Sequence, residues 1–314
     1  MKQILIFLLI IISNIVKSQT PDNDPHFVLD TYDNFNSLNS SLWNSVPNGT
    51  WGLETFNANN VTATGGVLTL KCEKINGNYI SGGIETVNKK TFSYGYYEIY
   101  SQIPKGMGYW GGFWFHMGSS TCARHEIDVL EPNGCDCSIG TQFHCGLGNY
   151  NTSCYGGFLA ETVTGLNDLT LDYNKYSLQW TPSLVKISVN DNLVKEFSDP
   201  KIVSDNPMYM FLTFQIDPNC TPNSSTVFPA FWKYKSFKYY KLKTDCSNGI
   251  VSSNFDFINH EYKVQKYYSL SSSTIPSNSS IILRATDYIE LDEDFIVPYG
   301  SEFTAITHCL TCPQ

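Results

Sequence analysis

The chain has 314 residues, with 29 acidic against 20 basic side chains and a formal net charge of −9. That balance argues against nucleic acid and anionic membrane surfaces as partners and is compatible with a neutral polysaccharide. Aromatic residues make up 14% of the chain, with 20 Tyr and 19 Phe, a usage that favours β structure and stacking on sugar rings alike.

At the start, Lys2 precedes an apolar run over residues 4–12, and Val16, Lys17 and Ser18 offer a cleavage site. Residues 1–18 read as a secretory signal peptide, too short in its apolar part to span a bilayer. The expected location is outside the cell, with no membrane span. Ten cysteines, an even number, suit an oxidising compartment and suggest disulfides, although sequence does not give their connectivity. Cys122, Cys135, Cys137, Cys145 and Cys154 crowd one region and are expected to staple its loops. A zinc site at Cys135 and Cys137, or at Cys309 and Cys312, is disfavoured because secreted cysteines seldom stay reduced. Asn39, Asn48, Asn60, Asn151, Asn219, Asn223 and Asn278 each begin an N-x-S/T triplet, an acceptor for glycans on a secreted chain.

Short alternating segments follow one another at 67–71, 96–101, 176–180, 184–189 and 208–213, separated by Asn, Gly, Pro and Asp. They read as strands, and residues 189–193 read as a hairpin turn. No long helical periodicity is evident, so an antiparallel β-sandwich is the expected architecture.

Between these strands, residues 125–131 read His-Glu-Ile-Asp-Val-Leu-Glu. Ile127, Val129 and Leu130 mark a half-buried strand whose polar face carries carboxylates. Residues two apart share a face, so Glu126 and Asp128 point together while Glu131 points away. A β-bulge at Val129 and Leu130 returns Glu131 to their side. A row of three carboxylates suits cleavage of a glycosidic bond, and Glu126 and Glu131 are long enough to converge toward the separation of about 5–5.5 Å that goes with retention of configuration. Mutual repulsion would keep one of them protonated near neutral pH, with Asp128 tuning and orienting its neighbours. Taken alone, the pattern fits a solvated edge strand equally well.

Its surroundings decide between the two. Residues 94–116 run Tyr-Gly-Tyr-Tyr-Glu through Pro104 and Gly106 to Tyr-Trp-Gly-Gly-Phe-Trp-Phe-His, which resembles the Y-G-x-x-E…P-x-G-x-G-x-W-P-A-F-W stretch of glycoside hydrolase family sixteen, the laminarinase-like enzymes. Glu126 to Glu131 is similar to that family's bulged catalytic motif. The resemblance runs from residues 27–30 through 66–70 and 81–84 to 234–240, about two thirds of the chain. It implies a jelly roll with a concave glucan cleft, with Glu126 as nucleophile, Asp128 as its helper and Glu131 as general acid/base. It also implies His144 beside the acid/base, and alternation puts Gln142 on the same face. Trp110 and Trp114 match the family's cleft tryptophans. One of the pair can pack inward as core, and Trp110 is read as the sugar-facing one.

Three departures bear on the cleft. Gly111 and Gly112 stand where relatives carry Pro-Ala, and Cys122 to His125 replaces a short approach to the first Glu. Arg124 in that approach has two open roles, bonding a sugar hydroxyl or bracing a carboxylate. Residues 211–217, Phe-Leu-Thr-Phe-Gln-Ile-Asp, replace an N-L-A-V-G-G-like strand, a difference that bears on the linkage preference. No calcium-loop spacing occurs, so no cofactor is expected, although some relatives bind a structural calcium.

After Tyr240, residues 243–249 look like a boundary, and 269–280 is rich in Ser. Residues 281–306 alternate strongly and resemble short β-stack segments at the ends of secreted, cell-surface proteins. Glu290, Asp292, Glu293 and Asp294 read as a solvated face. The expected division is a signal peptide at 1–18, a hydrolase β-sandwich at 26–243 and a small β-rich module at 246–314 for stability or attachment. The expected function is a secreted, monomeric endo-acting glycosidase on β-1,3- or mixed β-1,3/1,4-glucans that retains configuration. The alternatives are a transglycosylase of the same fold and a glucan-binding protein without chemistry, the latter disfavoured because both catalytic Glu are present.

Overall fold

A computed structural model describes residues 21, 27–47, 51–117, 126–132, 135, 140–148, 157–181, 184–198, 207–242, 250–257, 261–263, 267–285 and 288–307. The expected signal peptide, the boundary at 243–249, Arg124, the sequons at Asn48 and Asn151, and Cys122, Cys137, Cys154, Cys246, Cys309 and Cys312 lie outside the described residues.

In chain order the strands of the first part are β1 (Phe27–Asp33), β2 (Glu54–Phe56), β3 (Val61–Thr64), β4 (Val67–Ile75), β5 (Asn78–Ser81), β6 (Gly83–Glu85), β7 (Gly95–Gln102) and β8 (Tyr109–His116). They continue as β9 (Glu126–Glu131), β10 (Phe143–Gly148), β11 (Phe158–Val163), β12 (Asn174–Thr181), β13 (Leu184–Val189), β14 (Asn192–Phe197), β15 (Tyr209–Ile216) and β16 (Ala230–Leu242). Ten of them form one sheet in the order β14-β13-β12-β7-β16-β4-β5-β2, with β1 on β16 and β3 on β4. Six form the other, β11-β10-β9-β8-β15-β6. Pairing is antiparallel throughout except between β2 and β5, as the alternating segments predict.

The alternation is what builds the core. In β4, Leu68, Leu70 and Cys72 turn inward while Val67, Thr69 and Lys71 are half-exposed. Leu68, Tyr97 and Leu178 from the ten-stranded sheet share one buried cluster with Phe113, Ile127 and Leu212 from the six-stranded sheet, so the two sheets pack face to face. Each such side chain, fully buried, contributes about 1.5–3 kcal/mol. Asn190 and Asp191 both have positive φ, 50° and 65°, and link β13 to β14 as the two-residue turn expected of that segment. Asn60 departs from expectation as a glycan acceptor. It is 3% exposed, and its Nδ2 donates to the carbonyls of Lys71 (3.2 Å) and Ile80 (2.9 Å). Its amide is taken by the fold, whereas Asn39, Asn219, Asn223 and Asn278 are exposed.

The later strands are β17 (Ile250–Ser253), β18 (Glu261–Lys263), β19 (Tyr267–Ser271), β20 (Ser280–Ala285), β21 (Tyr288–Leu291) and β22 (Glu302–Thr307). They fall alternately into two three-stranded sheets, β17-β19-β21 and β18-β20-β22. All pairing here is parallel, the arrangement of a short β-solenoid. Tyr268, Leu270, Ile281 and Leu283 turn into a second buried cluster with Phe255 and Tyr262. Alternation revealed these strands, but period two is common to parallel and antiparallel pairs and did not reveal their direction.

Candidate active site

The site lies on the face of the six-stranded sheet turned away from the core. Along β8, Tyr109, Phe113 and Phe115 join the core, so Trp110, Gly112, Trp114 and His116 take the opposite face. β9 lies beside β8. Its register carries the expected bulge: Trp114 pairs with Asp128 and Phe113 with Leu130, leaving Val129 as the extra residue. On its other side Gly146 pairs with Asp128 and His144 with Glu131, so one residue of β10 opposes two of β9. The bulge brings Glu126, Asp128 and Glu131 to one face, and all three line the same cleft of about 200 Å³.

Gly111 and Gly112 are explained by this geometry. Their φ angles are 106° and 150°, and a Cβ on Gly112 would overlap the Leu130 carbonyl oxygen that the bulge pushes toward β8. A Cβ on Gly111 would meet the Thr213 carbonyl of β15.

Both tryptophans line the cleft, Trp110 half-buried and Trp114 buried at 8% exposed. Trp110 Nε1 donates to Glu131 Oε1 across 2.7 Å. Trp114 stacks on Phe211 with centroids 4.4 Å apart at 20°, and its Nε1 donates to Thr213 Oγ1 at 2.9 Å. It is nearly buried because Phe211 and Trp51 cover it, Trp51 meeting it edge-on at 5.2 Å. His144 stands opposite Glu131 on β10 with its Nδ1 3.3 Å from Thr162 Oγ1. Gln142 lies just before β10 and is half-buried. Neither lines the 200 Å³ cleft.

Burial, more than repulsion, sets the protonation of Glu131 and Asp128. Glu131 is pushed up to about 7, first by burial; the Trp110 hydrogen bond opposes this and the Asp217 carboxylate adds to it. Asp128 is held well above the usual carboxylate range by burial, then by the charges of Glu126 and Glu131 and its hydrogen bond with Glu126. His116 Nε2 lies 4.0 Å from Glu126 Oε2. A proton-bearing carboxyl beside a second carboxyl on one open face is an arrangement able to protonate a leaving oxygen and attack the centre behind it. Among the described residues no group of three or more His, Cys, Asp and Glu side chains is arranged to hold a metal ion.

Sequence reading missed several cleft residues. Trp51, His116 and Gln215 line the cleft. His116 was legible in principle, since it continues the period-two series of Trp110 and Trp114. Trp51 was not, because its place depends on Glu54. The Glu54 carboxylate accepts the backbone N–H of Ile216 at 2.9 Å and of Gly52 at 3.3 Å, and Leu53 N donates to Ile216 O at 2.9 Å. Burial raises Glu54 against these hydrogen bonds.

The cysteines depart in part from expectation. Cys135, four residues past Glu131, is bridged to Cys220, so one staple of the following loop exists. Cys145 and Cys72 are unbridged, because β10 and β4 turn both into the core, where burial pushes each thiol up to about 12.

Comparison with known proteins agrees with the fold. Residues 49–233 match the profile of glycosyl hydrolases family 16. The endo-1,3-1,4-beta-glycanase EglC of Rhizobium meliloti (strain 1021) is 27% identical over 202 residues, covering 61% of this chain and 42% of the relative. The endo-1,3-1,4-beta-glycanase ExoK of the same organism is 29% identical over 192 residues, 58% of this chain and 66% of the relative. The chain thus spans less than two thirds of either relative's length. The catalytic domain of an endo-1,3-beta-glucanase (laminarinase) from Thermotoga petrophila RKU-1 superposes with a TM-score of 0.60 at 22% identity, over 69% of this chain and 99% of that one. At that identity the likeness speaks for the fold.

Proposed function

The chain belongs to glycosyl hydrolases family 16, and from that premise we propose that it is an endo-acting glycosidase of β-1,3- or mixed β-1,3/1,4-glucans that works with retention through a glycosyl-enzyme intermediate. Glu126 attacks the anomeric carbon while Glu131 protonates the departing glycosidic oxygen. Glu131 then takes a proton from the water that releases the sugar from Glu126. Asp128, nearly buried between the two, shares a hydrogen bond with Glu126 and orients it. Trp51, Trp110 and Trp114 offer ring faces and edges to the sugars along the cleft.

The observation that carries this reading is the bulge, which sets an acid near neutrality and two further carboxyl groups on one open face. The named activities of the two glycanase relatives support the glucan class. Acidic and neutral cleft side chains, with no Lys or Arg among the described lining residues, support a neutral substrate. The leader-like residues 1–18 and the Cys135–Cys220 disulfide support release to an oxidising compartment. The β-solenoid at 250–307, with its own buried cluster, supports a separate module after the sandwich.

Release of reducing ends by the secreted, oxidised protein from β-1,3-glucan, mixed-linkage glucan, xyloglucan and agarose tests the reading, with Glu126→Gln as control. Turnover of a β-glucan that the control lacks, with a β-anomer as first product, is expected. Silence on the whole panel with retained glucan binding overturns it.

A further inference from the structure

β8 ends on His116, which continues the cleft-facing series of Trp110, Gly112 and Trp114. The β8–β9 register sets it directly opposite Glu126, two positions along from the pair formed by Trp114 and Asp128. Its Nε2 lies 4.0 Å from Glu126 Oε2, and the two side chains are 18% and 14% exposed. That is the reach of an ion pair rather than of a hydrogen bond, and a pair so largely removed from water is screened little by salt. Both residues line the cleft, and His116 is the one basic side chain among its described lining residues.

The imidazole is seated against aromatic neighbours. The Trp114 ring lies 6.1 Å from it at 59° and the Phe211 ring 6.4 Å from it at 69°. Among the described residues, the titratable groups that face His116 are Glu126 and Asp128 from β9 and Tyr209, its cross-strand partner on β15. Glu85 of β6 follows beyond Phe211, with which it pairs. Asp128 and Glu131 are both held toward their protonated forms by burial, so attack on a sugar leaves Glu126 to carry the negative charge. An anion on a largely buried face is costly without a counter-charge, and an imidazolium at 4.0 Å supplies one.

We propose that His116 is a positioning residue for the nucleophile: its imidazolium pairs with the Glu126 carboxylate across β8 and β9 and holds it charged and aimed into the cleft. The inference rests on Glu126 being the nucleophile of the proposed glycosidase. Because an imidazole carries its charge only at and below the neutral range, the pair supports Glu126 on the acid side of the working range, where that carboxylate is most exposed to protonation.

The test has one arm that needs no substrate. The His116 imidazole is titrated by nitrogen-15 NMR in the labelled full chain, its signal assigned by through-bond correlation. Glu126→Gln removes the facing charge, and the His116 midpoint is expected to fall by about half a pH unit or more. An unchanged or raised midpoint overturns the proposal. In the second arm His116→Gln keeps a hydrogen-bond donor and removes the charge. On the β-glucan that the parent cleaves, the acid limb of kcat/KM is expected to move to higher pH, with a loss of about threefold or more on that limb. On the alkaline side, where the parent's ring has given up its proton, the two profiles should converge. A loss by the same factor at every pH would mean a merely structural role and overturns the proposal. If one variant fails to fold, the arm that uses the other decides. A lowered midpoint in a protein that cleaves no β-glucan keeps the ion pair but sinks the glycosidase reading, and the positioning role with it.

Discussion

Trp110 donates its indole N–H to Glu131 across 2.7 Å, so a ring that lines the cleft also holds the carboxyl proposed as its acid. A donor to a carboxylate stabilises the charged form, and this hydrogen bond accordingly lowers Glu131 against the larger effect of burial.

Trp110→Phe keeps an aromatic ring and removes the donor. Glu131 should then rise above its present value of about 7, and the alkaline limb of kcat/KM should move to higher pH. Loss of the hydrogen bond should lower kcat roughly tenfold, the equivalent of about 1.5 kcal/mol. A pH–rate profile measured beside the parent protein checks both effects. An alkaline limb that stays put would mean the indole serves only as a platform.

On the roles proposed for them, Glu126→Gln and Glu131→Gln should differ in kind. The first removes the nucleophile, and turnover of every substrate should vanish. The second removes the proton donor, so glucan cleavage should fall by about 10²–10⁴ while formation of the glycosyl-enzyme from an aryl glycoside with a good leaving group is spared. Equal losses on activated and natural substrates would reverse or erase the division of roles.

Much of this constellation was legible in six residues, because a strand of period two cannot bring Glu126, Asp128 and Glu131 to one face without an extra residue. The alternation of β4, β7 and β12 likewise foretold the sandwich. What escaped reading depends on partners distant in sequence. Trp51 reaches the cleft because Glu54 binds the backbone of Ile216, a contact across 162 positions that no local pattern encodes. Cys145 and Cys135 look alike as letters, yet one faces the core from a strand and the other lies in a turn opposite Cys220. The parallel pairing after Ile250 was equally hidden.

Stability should carry the mark of the buried acid. Glu131 in the folded protein lies near 7, against the 4.5 of an unperturbed Glu, so the folded state binds more protons than the unfolded state between those values. Stability therefore falls as pH rises from about 4.5 to 7 and stays reduced above that window. Glu131→Gln removes the ionisation, and its Tm should exceed that of the parent at pH 8, with a gain on the order of 1–2 kcal/mol. The difference should shrink toward zero at pH 4. Parallel Tm curves across this range would refute the linkage.

Gly112→Ala tests the bulge. The new Cβ would meet the Leu130 carbonyl oxygen, which is backbone and cannot swing aside. A loss of about 3 kcal/mol or more is expected, with activity lost in whatever fraction remains folded. Gly77→Ala is the control: its φ is 88°, but nothing lies within 4 Å of the added atom, so only the backbone strain of about 1–2 kcal/mol applies. Equal destabilisation in the two would show that the closeness of β8 to the bulge has no special energetic weight.

Glu54→Gln tests the strap that carries Trp51. The carboxylate accepts two backbone N–H groups, one through each oxygen, and an amide has one acceptor oxygen for the pair. One buried N–H is left unmatched, at a cost of about 1–3 kcal/mol, and the segment 51–53 should loosen from β15. Trp51 packs on Trp114 and Phe211 in the aromatic wall of the cleft, so the effect should fall on substrate binding. KM should rise roughly tenfold with kcat changed less than about threefold, and the intrinsic fluorescence of the cleft tryptophans should become more accessible to acrylamide. A fall in kcat at constant KM would instead place Glu54 in support of the acids themselves, through Ile216 and the neighbouring Asp217.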